Sequence, residues 1–127
     1  MKEKQLQDIT ALYGRLSRDD EVGGESMSIQ SQRAILGQYA KEHGFTNCQF
    51  FMDDGYSGTN FDRPAFTEMM ELVEQRRVRT IIVKDLSRLG RNYLEVGRYT
   101  EVIFPENKVR FIAITDGVDS AAGDNEF

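Results

Sequence analysis

The sequence predicts an α/β domain of three layers, a mostly parallel central sheet of four to five strands with helices on both faces. Segments of strand character alternate with segments of helical period, the pattern of parallel strands joined by crossover helices. The stretch 79–84 (RTIIVK) is short, apolar and rich in β-branched residues, which suits a strand buried on both faces. A length of 127 residues, with 39% apolar and 29% charged side chains, fits one folded domain with a real core.

The elements follow in order. Residues 1–9 form an N-terminal tail, and residues 10–17 (TALYGRLS) the first strand. A polar, glycine-containing loop covers 18–27. Ser28 is placed to cap a helix over 29–43, which Gly44 stops. Residues 47–52 (NCQFFM) make the second strand, and Asp62 with Pro64 opens the next helix. In that helix Phe66, Met69, Met70 and Val73 share one face and read as core. After the strand at 79–84 comes a helix over 92–104, with Tyr93, Val96, Thr100 and Ile103 on one side, and a last strand over 109–115. Residues 116–127 (DGVDSAAGDNEF) are small, polar and aperiodic. They read as a linker towards further segments, which leaves 10–115 as the folded domain.

Composition excludes several classes. No apolar run nears the roughly 18 residues of a membrane span, and the start, MKEKQLQD, lacks the apolar stretch of a signal peptide. The single cysteine, Cys48, excludes an internal disulfide, fits a reducing cytoplasm, and reads as a buried thiol in an apolar-rich stretch. His43 is the only histidine, so a His-based metal cluster is excluded; beside Gly44 it reads as a helix-end residue. A net charge of −5 argues against attraction of nucleic acid over the whole surface. Positive charge must then be local, or lie in a basic part outside this chain.

In open parallel sheets, ligands bind beyond the carboxyl ends of the strands. The first strand ends in Tyr13-Gly14-Arg15-Leu16-Ser17, and strand alternation puts Tyr13, Arg15 and Ser17 on one face. An arginine so near the end of a buried strand calls for an anion or for a salt bridge to a neighbouring carboxylate. The second strand delivers Asp53, Asp54, Ser57 and Arg63; taken singly, the acids suit a solvated loop and Gly55 to Gly58 an ordinary turn. The third delivers Lys84, Asp85, Ser87, Arg88 and Arg91, where a solvated basic face explains the pattern as well as function does. Together these loops gather Arg15, Arg63, Arg88 and Arg91 around one crevice with the hydroxyl of Ser17. Four guanidinium groups repel one another unless an anion joins them, and their fork geometry suits phosphate. The chain has no GxxxxGK[ST] phosphate cradle, no GxSxG elbow and no obvious carboxylate cluster for Mg²⁺. The arginines are then left to neutralise the equatorial oxygens of a phosphoryl transition state, with no metal or other cofactor.

These residues resemble the serine recombinase (resolvase/invertase) family. Tyr13 to Ser17 is similar to the family's nucleophile strand. Ser28-Ile29-Gln30-Ser31-Gln32-Arg33 is similar to the start of its first helix, and Asp54 to Gly58 with Arg63-Pro64 to its second active-site loop. Leu86-Ser87-Arg88-Leu89-Gly90-Arg91 is similar to its basic loop. The wording YGRLSRDDE, SIQSQR and DGYSGTNFDRPAF is nearest to the large recombinases of mobile elements. Ser87 departs from the small resolvases, which carry aspartate there, a difference that large members often share.

The resemblance implies a resolvase-like fold and site-specific recombination of double-stranded DNA. Ser17 attacks a phosphodiester to give a 5′-phosphoserine and a free 3′ hydroxyl. Arg15, Arg88 and Arg91 hold the phosphate, Gln32, Arg63 and Ser57 assist, and Asp54 orients arginines. The family's long dimer-building helix and its DNA-binding region are not found in these 127 residues. The resemblance therefore implies a catalytic-domain fragment, inactive alone in recombination, from a protein that works as a homodimer to tetramer. Two rivals have different requirements. A receiver-type phosphate-binding signalling domain wants its acidic pair after strand one, where this chain has Arg-x-Ser. A phosphate-ester hydrolase using Ser17 or Cys48 would leave no DNA end on Ser17.

Overall fold

The computed structural model describes residues 8–16 and 28–121. The nucleophile candidate Ser17, the loop 18–27 and residues 122–127 of the expected linker lie outside the described residues. Five strands, β1 (Ile9–Leu16), β2 (Cys48–Asp54), β3 (Val78–Val83), β4 (Arg110–Ala113) and β5 (Val118–Asp119), form one sheet in the order β2-β1-β3-β4-β5. The first four are parallel, and β5 runs antiparallel to β4.

Helices cover both faces. On one, Leu36 and Ala40 of α1 (Ile29–Glu42) pack on Leu12, Ile82 and Ile112. On the other, Phe66, Met69 and Val73 of α2 (Pro64–Glu74) join Ala11, Tyr13, Ile81, Val83 and Phe111. Strand alternation produces this split, since Leu12 and Ile82 point one way while Tyr13, Ile81 and Val83 point the other.

Local chemistry sets the helix ends. The Ser28 hydroxyl accepts from the Ser31 amide at 3.0 Å, as its position suggests, and Gly44 follows α1 with φ +78°. Helix α2 begins differently from expectation. Asp62 is not its cap; Arg63 occupies that position with no side-chain cap bond, and Asp53 reaches across from β2 instead. The Asp53 carboxylate accepts from the amides of Ala65 (2.9 Å) and Phe66 (3.0 Å), so a strand residue supplies the anion at the helix N-terminus.

Three further expectations change. Cys48 is exposed, because β2 is an edge strand whose first three residues face solvent. Tyr93 is 87% exposed at the start of α4 (Tyr93–Arg98) and takes no part in a core stripe. Behind it the helix passes through a π turn (Tyr99–Ile103) into α5 (Phe104–Glu106), and the Phe104 amide donates to the Tyr99 carbonyl. The extra residue of the π turn brings Tyr99 against Phe61, Phe66 and Phe104, so Tyr99 joins the aromatic cluster. Finally, the chain continues to pair beyond 115. Val118–Asp119 adds β5, fixed by a bidentate Arg110–Asp119 pair at 3.0 and 2.7 Å.

The sheet order places a topological switch point between β1 and β3, whose connections leave to opposite sides. There β1 stays paired with β2 as far as Leu16–Asp54, but with β3 only to Tyr13–Val83. The tip of β1 therefore overruns β3, and the short helix α3 (Leu86–Leu89) packs into the notch.

The two methionines of α2 offer a test of this packing. Met69 is fully buried and Met70 only half-buried. Met69→Ala should destabilise the fold by about 2–5 kcal/mol, and Met70→Ala by well under half of that, in urea denaturation. Equal losses would contradict the placement of this face.

Candidate active site at the tip of β1

Arg15 is wholly buried where β1 overruns β3. Its guanidinium donates to three backbone carbonyls: Nε to Arg88 at 3.2 Å, Nη1 to Tyr56 at 3.0 Å, and Nη2 to Ser87. Loops following β2 and β3 thus both close on one side chain of β1. The peptide groups of Arg15 are held as well. Its amide donates to Gln32 Oε1 at 3.1 Å, and its carbonyl accepts from Gln32 Nε2 at 3.0 Å. Gln32, itself fully buried in α1, thereby pairs with the strand tip much as a neighbouring peptide would.

Two glycines make this approach possible. A Cβ on Gly14 would lie 2.8 Å from Gln32 Oε1 and 2.6 Å from Met52 Sδ. A Cβ on Gly58 would meet Arg15 Nη2 at 2.7 Å and Arg91 Cγ at 3.0 Å. Gly58, the second glycine of the DGYSG loop, is needed because arginine side chains pass directly against it.

The other arginines divide. Arg88 is nearly buried; its Nη1 donates to the Arg15 carbonyl at 3.1 Å, and its Nε lies 3.6 Å from Asp85 Oδ2. Arg63 is fully enclosed. Its Nε donates to the Asn60 carbonyl at 3.0 Å, and its Nη1 to the Tyr13 hydroxyl at 3.2 Å and the Arg88 carbonyl at 3.4 Å. Arg91 is exposed, with its amide donating to the Gly58 carbonyl at 2.7 Å. The expected gathering of Arg15, Arg63, Arg88 and Arg91 is present, but three are buried and one faces outward.

The remaining expected residues take varied places. Ser57 is half-buried, and its hydroxyl accepts from the Thr59 amide at 3.0 Å, shaping the loop. Asp54 is exposed and makes no hydrogen bond or ion pair with an arginine among the described residues. Its neighbour Asp53 is the buried one, with Oδ2 accepting from the Tyr13 hydroxyl at 2.8 Å. A signal for this was available: Asp53 alternates in phase with the apolar Phe51, so the two share the inward face. No group of three or more His, Cys, Asp or Glu side chains able to hold a metal ion occurs among the described residues. Among them, too, no helix is long and apolar enough to cross a membrane.

Fold and site together define a parallel α/β domain with an arginine-built site at its topological switch point. The chain belongs to the resolvase N-terminal domain family, whose model (Resolvase, N terminal domain) matches residues 10–127. The N-terminal catalytic domain of TP901-1 integrase superposes with a TM-score of 0.79 at 26% identity, covering 93% of this chain and 85% of that one. A resolvase family site-specific recombinase from Streptococcus pneumoniae gives 0.68 at 27% identity, covering 91% and 77%. A Bacillus phage phi105 protein, uncharacterized immunity region protein 3, is 30% identical over 64 residues, which are 50% of this chain and 77% of that protein. The chain is thus a serine recombinase catalytic domain, of a family that acts in site-specific DNA recombination.

Asp85 carries a pH-dependent part of the site. Burial raises its carboxyl, but hydrogen bonds from Ser87 and Lys84 and the charges of Arg88 and Lys84 outweigh this and hold it below the ordinary value of 3.8. A folded-state value below the unfolded one stabilises above the unfolded value, and that stability is lost as pH falls through the folded value. Carboxyl NMR should therefore show Asp85 titrating below 3.8, and Asp85→Asn should flatten the acid limb of stability against pH. A midpoint at or above 3.8 would contradict the network.

Proposed function

We propose that this domain cuts and rejoins double-stranded DNA through a phosphoserine formed at Ser17. The observation that carries this reading is the buried guanidinium framework around Arg15, two residues before Ser17 in the sequence. Such a framework fixes the strand end from which the nucleophile follows, and fixed positioning is a large part of phosphoryl-transfer catalysis.

In this mechanism the Ser17 oxygen attacks phosphorus in line and gives up its proton, and the bond to the 3′ oxygen breaks. That oxygen leaves as a 3′ hydroxyl after taking up a proton, while the 5′ phosphate stays on Ser17. Rejoining reverses the step: a 3′ hydroxyl attacks the phosphoserine and Ser17 is released. Because the ester bond is exchanged rather than hydrolysed, no nucleotide cofactor is needed to restore it, and charge on the phosphate falls to the arginines. Arg91, exposed beside Gly58, and Arg88 behind it neutralise charge on the phosphate. Arg15 holds the strand tip to both loops. Gln32 and Arg63 are enclosed and act from behind that layer, while Ser57 shapes the loop and the exposed Asp54 is open to an arginine or to solvent.

Exchange requires several such sites in one assembly, a homodimer that pairs into a tetramer. This chain alone, at net charge −5, gains little from counterion release on DNA. We expect a folded, non-recombining protein by itself. A stable tetramer in light scattering, or sub-micromolar duplex binding in gel shifts at physiological salt, would contradict that.

The chemistry is tested in the longest natural chain carrying this domain. Ser17→Ala should abolish the covalent protein–DNA adduct and leave DNA binding in place. Arg88→Ala and Arg91→Ala should each lower cleavage by roughly 10²-fold, the scale of losing one transition-state donor. Arg15→Ala should do at least as much by releasing both loops. EDTA should change little. Adducts that persist in Ser17→Ala, or cleavage that collapses with EDTA and returns with Mg²⁺, would overturn the mechanism.

A further inference from the structure

We propose that Asp53 is a positioning residue of the recombination site, acting on Arg63 through the hydroxyl of Tyr13. The proposal rests on the function proposed above.

Arg63 poses the problem that Asp53 solves. It carries a guanidinium, the cationic group of arginine, yet the side chain is fully enclosed. No carboxylate lies at ion-pair distance from it among the described residues, and its buried Nη2 has no hydrogen-bond partner. Phe61 and Phe66 present their rings at 4.4 and 5.4 Å, and a Cβ on Gly90 would approach Nη2 to 3.3 Å. Arg15 and Arg88 bring two more positive groups into the same buried region. A cation in such surroundings is costly without compensating charge.

Asp53 supplies it at one remove. The Tyr13 hydroxyl donates to Asp53 Oδ2 at 2.8 Å and accepts from Arg63 Nη1 at 3.2 Å. All three residues are buried, so the phenol is a bridge polarised at both ends in surroundings that strengthen each bond. The remaining Asp53 bonds go to the start of α2, which pins the carboxylate. From Arg63 the path continues to the Arg88 carbonyl, the acceptor that Arg63 Nη1 shares with Arg15 Nε. Asp53 thus fixes Arg63, and Arg63 braces the segment that carries Arg88 and Arg91 against the tip of β1. Asp53 lies beside the motif position Asp54 but faces the opposite way, into the domain.

A purely structural Asp53 would only cap α2. Tyr13→Phe separates the two roles, because it removes the bridge and leaves both cap bonds. Two readouts decide. In this chain, the Arg63 side-chain Nε–H should exchange with solvent at least about tenfold faster in Tyr13→Phe and in Asp53→Asn than in the wild type, beyond any change in global unfolding. In the longest natural chain, single-turnover cleavage at saturating DNA should fall by about 10- to 10²-fold in each variant, with DNA affinity unchanged. Adding Asp53→Asn to Tyr13→Phe should lower stability further but cleavage little further, since the path is already broken. If Tyr13→Phe does not fold, Asp53→Asn, which keeps an oxygen acceptor for one of the two cap amides, carries both measurements, with exchange and cleavage compared at matched global stability. Unchanged Nε–H exchange, or losses in cleavage that simply multiply in the double variant, would overturn the proposal. A wild type that forms no adduct while Arg63 exchange still responds would instead sink the proposed function and leave the positioning path intact.

Discussion

One carbonyl oxygen, that of Arg88, accepts from two buried guanidinium groups, Arg15 Nε at 3.2 Å and Arg63 Nη1 at 3.4 Å. A peptide oxygen has two lone pairs, and here both are directed at cations. The arrangement depends on β1 pairing with β3 only as far as Tyr13, so that on this side carbonyls of α3, not of a neighbouring strand, meet the strand tip. Sheet order, the notch and the shared acceptor are consequences of one another. The loop after β2 is drawn in by the same means, through the Tyr56 carbonyl on Arg15 Nη1. A charged side chain at the tip of β1 therefore adds to the few backbone bonds, Tyr56 amide to Leu16 carbonyl and Arg91 amide to Gly58 carbonyl, that join these three segments.

The architecture was largely legible because periodicity and caps agree. The apolar run at 79–84 lies where β3 is found, Ser28 caps α1, and three of the four residues in the α2 stripe are fully enclosed. What could not be read follows from contacts between distant segments. Tyr99 enters the aromatic cluster only because a π turn shifts the helical phase, and phase counting from Tyr93 picks Thr100 instead. Val118–Asp119 is too short to show a period, and its pairing depends on Arg110 across the turn. Cys48 sits in an apolar-rich stretch, but edge position decides exposure, and strand order is not written in any one strand.

That the arginines gather near one strand tip was legible, and the orientation of each was not. Spacing identified the arginines, while the surroundings of each had to be seen. Arg15 suggested either an anion or a carboxylate partner; backbone carbonyls of two loops take that place in the described contacts. Arg63 stood as an equal of Arg91, yet one is enclosed and the other exposed. Between the adjacent acids Asp53 and Asp54, motif position favoured the second and strand alternation the first. Residue type reports which charge is available, whereas burial decides whether it meets solvent or another side chain.

The pairing of Gln32 with the Arg15 peptide restricts what the genetic code can place at that position. A primary amide is the complement of a peptide group, offering one donor and one acceptor side by side. Asparagine has the same head on a stem one methylene shorter, too short for the same span from a helix backbone. Glutamate has the reach, but turns a lone pair towards the Arg15 carbonyl where a donor stands now. Lysine and arginine could donate to that carbonyl and would leave the Arg15 amide without its acceptor. Position 32 thus tolerates neither an ionised carboxylate nor a cation without loss of one of the two bonds to the Arg15 peptide groups.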